Sequence, residues 1–206
     1  MVGLIGKKIG MSQIFDESGK VIPVTLVKAG PCTIVQRKNN DTDGYSAIQL
    51  GFEEIPERKV AKPQLGHFKK ANTKYFRHLR EFRVSNDETF NVGDTLDVSV
   101  FKMNEKIKVT GISIGKGFQG VVRRHGFKGA LTMTHGTHEG FRNPGSVGQC
   151  ATPSRIYKGR KMPGQMGNNQ ATVKNLKIVK IDADNNLLMI TGAIPGASNG
   201  IVYLSK

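Results

Sequence analysis

Residues 115–170 interrupt a strand-like chain with 56 residues that lack the material for a core of their own. They hold twelve of the chain's 25 glycines and only five Ile, Leu or Val. Ordering backbone costs about 1–2 kcal/mol per residue, and here there is little apolar surface to offset it. A structureless loop of this length is uncommon, and is usually either functional or disordered. The chain therefore divides into a body built from the flanking segments and an extension that something external must order.

Charge points to what that something is. The 206 residues carry a net +15. Residues 115–170 contain nine Lys or Arg against one acid, Glu139, and residues 57–83 contain nine against two. The rest of the chain is balanced, with thirteen of each sign. Unmixed basic blocks repel themselves unless a polyanion lies against them. Glycine lets backbone approach such a ligand closely, and Lys and Arg neutralise its phosphates. As an out-and-back arm the segment could reach at most ~90 Å. Its composition also leads us to expect an arm that is mobile in the free protein and ordered on binding.

The flanks read as antiparallel β. Val21–Val27 and Thr33–Gln36 are β-branched and apolar, 39–44 is a turn cluster, and Tyr45–Phe52 alternates as a returning strand. Residues 53–83 look irregular and basic, with a short helix near Gly66–Ala71 and a strand over His78–Val84. Further strands are expected over Thr95–Phe101 and Lys106–Ile114. After the extension, 172–182 and Asn186–Ile194 flank a hairpin turn, and Ile201–Leu204 closes the pattern. Short strands at close spacing suggest a barrel or a sandwich.

Catalytic motifs are weak. Gly115–Gly120 has the spacing of a dinucleotide fingerprint, but that motif requires a βαβ unit, and the strands here look antiparallel. An exit from the body into the arm, with a helical turn over Phe118–Arg124, fits better. Cys150 with His125, His135 and His138 lacks the spacing of a metal site or of an activated thiol. No catalytic, cofactor or metal residue is assigned. Cys32 and Cys150 are too few for a disulfide framework. No apolar run approaches the ~20 residues of a membrane span, and no long apolar leader is visible, so the expectation is a cytoplasmic protein with no membrane partner.

The basic blocks are candidate RNA contacts. Aromatic residues Phe118, Phe127, Phe141 and Tyr157 are interleaved with the extension's cations and could stack on bases or anchor the arm. No recognition helix, zipper or finger pattern is present, so an irregular arm suits folded RNA better than duplex DNA. In the extension the candidates are Lys116, Arg123, Arg124, Lys128, His135, His138, Arg142, Gly145, Gly148, Gln149, Cys150, Arg155, Lys158, Arg160 and Lys161. In the second block they are Lys59, Lys62, Lys69, Lys70, Arg77, Arg80 and Arg83, with Arg58 and Lys74 nearby.

These residues also carry a resemblance. "GLIGKKIGMSQIF" (Gly3–Phe15), "DGYSAIQLGF" (Asp43–Phe52), "GKGFQGVVRRHGF" (Gly115–Phe127), "HGTHEGFRNPGSVGQ" (His135–Gln149), "YKGRKMPGQMGN" (Tyr157–Asn168) and "GAIPGASNGIV" (Gly192–Val202) occur in the order found in the bacterial large-subunit ribosomal protein L-three family. The resemblance covers essentially the whole chain. It implies a mainly β fold: a six-stranded antiparallel translation-protein barrel with a long irregular extension inserted between strands. The body would be residues 1–114 and 171–206, and the extension residues 115–170. It implies a structural role in the large subunit, with 23S ribosomal RNA and other large-subunit ribosomal proteins as partners and no small-molecule substrate. It further implies early entry into assembly and an extension tip, about Asn143–Thr152, near the peptidyl-transferase centre. Two departures stand out. Ala151 occupies a position where many bacterial members have a glutamine, methylated in some, and Lys108 stands where Asp or Asn is expected. The competing readings are an RNA-modifying or nucleotide-dependent enzyme on a β-barrel, and a free RNA chaperone.

Overall fold

The computed structural model describes residues 3–84 and 90–206. Its strands run β1 (Gly3–Phe15), β2 (Val21–Ala29), β3 (Cys32–Lys38), β4 (Ala47–Glu54), β5 (Phe76–Arg83), β6 (Thr95–Leu96), β7 (Lys106–Ile112), β8 (Phe118–Gln119), β9 (Gly164–Gln165), β10 (Gln170–Asp182), β11 (Leu187–Thr191) and β12 (Ile201–Ser205). Helices are α1 (Asn40–Asp43), α2 (Lys62–Ala71) and α3 (Val121–His125). The chain divides into two compact units, Met1–Ser113 with Gln170–Lys206, and Ile114–Asn169.

Six strands close a barrel in the order β1-β12-β7-β10-β11-β2, with every neighbouring pair antiparallel. This resolves the choice between barrel and sandwich and agrees with the fold the resemblance implies. Closure leaves no free edge where the six strands pair all round, although the far end of β1 and the start of β2 run on past their outer neighbours. A second sheet, β5-β4-β3-β6, shares its core: Leu4, Val27, Val109, Leu188 and Leu204 of the barrel and Ile34, Ile48 and Leu50 of the sheet are all fully buried in one cluster. Each such side chain contributes about 1.5–3 kcal/mol by leaving water. Lys8, in β1, is buried without a carboxylate. Its ammonium donates to the carbonyls of Ile194 (3.0 Å) and Gly196 (2.9 Å), which hold the loop before β12.

Several sequence expectations shift. Thr95–Phe101 is not one strand: β6 covers two residues and Val98–Val100 forms a 3₁₀ turn that buries Val98 and leads to buried Phe101. The 39–44 turn cluster winds into the single-turn α1, ended by Gly44 in the left-handed region. The strand expected over Asn186–Ile194 stops at Thr191, before Gly192 at φ 74°. Residues 53–83 are more regular than expected. They hold a 3₁₀ turn at Glu57–Lys59, α2 and β5. α2 starts earlier than Gly66 because Pro63 falls in its first turn, where no helical partner awaits the N–H that proline lacks.

The connection between β7 and β10 matters most for function. β10 returns antiparallel to β7, with Gln170 opposite Ile112. In topology, residues 113–169 are thus an overgrown hairpin loop between adjacent barrel strands.

Candidate nucleic-acid interface

The extension is held by backbone and a few polar contacts rather than by a core. Among the described residues of 114–169, only Val121 is buried. Its two legs are zipped together: the Lys116 N–H donates to the Met166 carbonyl at 2.8 Å, the Met166 N–H donates to the Gly117 carbonyl at 3.0 Å, and β8 pairs with β9. The legs pass so closely at Gly167 (φ 72°) that a Cβ there would overlap the Ile114 carbonyl oxygen. Further out, Gly129 (φ 76°) makes a comparable approach to the Phe141 carbonyl, which accepts from the Ala130 N–H at 3.3 Å. The helical turn expected at Phe118–Arg124 lies slightly later, as α3, ended by left-handed Gly126.

This scaffold leaves its cations outside. Of the fifteen extension candidates, all are exposed except Arg124, which is half-buried. The Arg124 guanidinium donates to the Met162 carbonyl at 2.7 Å, and His125 Nε2 lies 3.0 Å from the same oxygen. Arg124 therefore serves to tie the two legs. Arg160 donates to the Ser146 carbonyl, and the Arg155 guanidinium lies 5.6 Å from the Tyr157 ring centroid. Glu139 forms no ion pair among the described residues, and neither does any extension cation. Nothing among the described residues neutralises this charge.

Gly145 and Gly148 differ from one another. Gly145 sits at φ 76°, which alone favours glycine. Gly148 has ordinary φ, and a Cβ would come no nearer than 3.9 Å to the Arg155 carbonyl. The protein itself has no internal need for glycine at 148. His135, His138 and Cys150 are exposed, and no cluster of three metal-ligating side chains occurs among the described residues. Gly115–Gly120 contains β8, which pairs antiparallel with β9, and no parallel strand pair of the kind a dinucleotide site needs occurs among the described residues.

The second block is distributed over regular elements. α2 is anchored by Phe68, fully buried and edge-on to Tyr75 (5.8 Å) and Phe76 (6.2 Å). Lys62 and Lys69, seven residues apart, share one exposed stripe of that helix. Lys69 and Lys70 fall in its last turn, where cations suit the helix dipole. Lys59, Lys62, Lys69 and Lys70 have no acidic partner among the described residues. Along β5 the cations are partly engaged. Arg77 is 3.9 Å from Glu53, Arg80 stacks 4.8 Å from the Tyr203 ring and Arg83 lies 5.8 Å from the Tyr45 ring. Lys74 pairs with Glu54 at 2.8 Å.

Sequence reasoning did not anticipate these pairings. Glu53, at φ 62°, is approached by Lys7 (3.6 Å), Arg77 and His78 (3.5 Å). Burial lowers the His78 pKa, outweighing the pull of the Glu53 carboxylate, so the ring is largely neutral at pH 7. Lys38 binds Glu81 at 2.8 Å, and that contact holds the Glu81 carboxyl below its usual range. The signal was absent from any local window, because Glu81 meets Lys38 only through the β3-β4-β5 register.

A small antiparallel barrel, a side sheet and an acid-poor extension with unneutralised charge define a class: basic β-barrel proteins carrying a cationic arm. The comparisons with known proteins are more specific. The family model described as Ribosomal protein L3 matches residues 33–191. The large ribosomal subunit protein uL3 of Geobacter sulfurreducens is 55% identical over 202 residues, covering 98% of this chain and 95% of the relative. That of Petrotoga mobilis is 50% identical over 208 residues, covering 100% and 95%, and that of Myxococcus xanthus is 48% identical, covering 99% and 92%. The chain belongs to the ribosomal protein L3 family, a structural and non-enzymatic one.

Proposed function

We propose that this chain is a structural component of the large ribosomal subunit in the cytoplasm, and that it binds 23S ribosomal RNA through residues 115–170 and through the cations of α2 and β5. One observation carries the reading: nine Lys or Arg stand in a segment with one buried side chain and no ion pair among its described residues. Exposed charge that the protein itself leaves unneutralised, on backbone without a core, fits a mould of phosphates. Family membership supports the particle, since the relatives are named for the large subunit. The body anchors on the subunit, and the extension takes its rigidity from the RNA it enters. Its tip, Asn143–Thr152, lies nearest the catalytic RNA, with Gln149 and Cys150 leading. Early binding during assembly and contacts with other large-subunit proteins belong to the same reading.

Quantitative mass spectrometry of purified large subunits tests the placement: one copy per particle is expected, and a sub-stoichiometric, exchanging population would point to a chaperone instead. Salt titration tests the chemistry. If nine cations meet phosphates, log affinity for the RNA falls by about 6–8 per unit of log salt. A flat response would reject RNA binding through these residues.

A further inference from the structure

The β1–β2 hairpin carries an exposed apolar face outside both basic blocks. Among the described residues, Gly10–Phe15 of β1 pair with β2 alone, after a register shift at Ile9, and Val21–Ile22 of β2 pair with β1 alone. The two strands here form a ribbon with open edges. Its register sets Phe15 opposite Val21 and Gln13 opposite Pro23, so with Met11 these side chains share one face. Met11 is 55% exposed, Phe15 63% and Val21 46%, and Pro23 is exposed too. The other face holds Ile14 opposite Ile22, both half-buried. An isolated two-stranded ribbon is marginal in water. Edges left open are commonly guarded by lysine or proline, yet Ile9–Phe15 contains neither.

Charge identifies the kind of partner. From Ile9 to Pro23 the chain carries Asp16, Glu17 and Lys20, a net −1 within a chain of net +15. Asp16 and Glu17 directly follow Phe15, and both are exposed. The lysines that precede the ribbon are engaged elsewhere: Lys7 with Glu53 at 3.6 Å, and Lys8 with the Ile194 and Gly196 carbonyls. Phosphate contact needs cations. Apolar side chains beside carboxylates suit a polypeptide that brings apolar groups flanked by Lys or Arg.

We propose that Met11, Phe15, Val21 and Pro23 form a docking face for a basic protein, with Asp16 and Glu17 receiving its cations. The inference deepens the reading of the chain as a ribosomal component and rests on it in taking the partner from the same particle. The test places a photo-crosslinking benzoyl-phenylalanine at position 15, and separately at 11, in the full chain in cells. Adducts are isolated under denaturing conditions and sequenced by mass spectrometry. The expected result is one protein partner whose crosslinked peptide carries Lys or Arg beside apolar residues. Its affinity for the purified chain should then fall about 30-fold with Met11→Ser plus Phe15→Ser. It should also fall with Asp16→Lys plus Glu17→Lys, a pair of changes at the exposed tip that leaves the core alone. RNA affinity and its salt slope should stay unchanged in both variants. Adducts with RNA alone, with a second copy of this chain alone, with an acidic peptide, or with nothing would each overturn the proposal. If the chain were missing from large subunits the proposed function would fail, while the adducts would still report what covers this face.

Discussion

Body and extension solve the problem of holding a shape in opposite ways. In the body, buried Leu, Ile, Val and Phe side chains from barrel and side sheet meet in one cluster. Each has several independent neighbours, so the shape is over-determined. In the extension, Val121 alone is buried among the described residues, and the legs are held by backbone pairs at Lys116–Met166, by Arg124 and His125 on one carbonyl, and by glycines at the tightest crossings. The body also pairs charges within itself, as in Lys38–Glu81 and Lys74–Glu54, whereas the extension's cations have no acidic partner among the described residues. Foldedness and charge pairing therefore go together: the region without a core is also the region whose charge awaits an external counterpart.

The largest effect should come from removing one partner of the comparison. Joining Gln119 to Gly164 through two glycines keeps β8 and β9 and deletes eight Lys or Arg. The body should melt at an unchanged temperature, while the salt slope of RNA binding drops by about 0.7–0.9 for each phosphate the deleted cations had neutralised. If circular dichroism showed the body collapsing, the two regions would not be separable in stability.

Next comes a pair of leucines. Leu204→Ala, in the fully buried barrel, should cost about 2–5 kcal/mol in chemical denaturation. Leu131→Ala, 97% exposed, should leave the stability within about 0.5 kcal/mol of the wild type. Equal losses would mean that the extension contributes a core after all.

Glycines sharpen the contrast within the extension. Gly129→Ala forces a Cβ onto the Phe141 carbonyl at positive φ, and amide hydrogen exchange around 127–143 should accelerate in the isolated protein. Gly148→Val has room in the free protein and should leave that exchange pattern alone. If RNA packs against this backbone, Gly148→Val should nevertheless lower subunit yield more than Lys70→Ala does. Equal mild effects on yield would remove the case for close RNA approach at 148. Strong protection across 135–165 in the isolated wild type would refute an arm that depends on RNA for its rigidity.

The smallest effect concerns two thiols. Cys32 is buried in the body, where desolvation pushes its pKa up to about 12 and its Sγ donates to the Ile5 carbonyl at 3.4 Å. Cys150 is exposed in the extension. At pH 8 a thiol reagent should titrate one cysteine in the native protein and two in denaturant. RNA should then slow the one reactive site, and unaltered labelling of Cys150 in the complex would argue against a tip embedded in RNA.

Much of this contrast was legible in the chain. Alternation in Tyr45–Phe52 and in Lys106–Ile114 revealed strands, because side chains on neighbouring residues of a strand face opposite ways and only one face needs to be apolar. The extension was legible from scarcity, since twelve glycines beside five Ile, Leu or Val forbid a core whatever the arrangement. Other features were not. The helix expected near Gly66–Ala71 starts earlier, with Pro63 in its first turn, because the same residue ends a helix or starts one depending on the residues C-terminal to it. The strand expected at Thr95–Phe101 became a bridge and a turn once Val98 and Phe101 were drawn into the core. The structural task of Arg124 was hidden too, because its guanidinium donates to the Met162 carbonyl 38 residues away.

The residues alone determined that a β body would carry a glycine-rich, acid-poor arm, and where in the chain its excess charge lies. These are properties of composition and of short-range periodicity, readable without knowing any long-range neighbour. Tertiary structure decided the strand order of the barrel, the sharing of one core with the side sheet, the engagement of Arg80, Arg83 and Lys38, and the apolar face left open on the β1–β2 ribbon. Each of these depends on which distant segments become adjacent, and that adjacency is set by the joint burial of all the apolar faces at once, a quantity no single stretch contains.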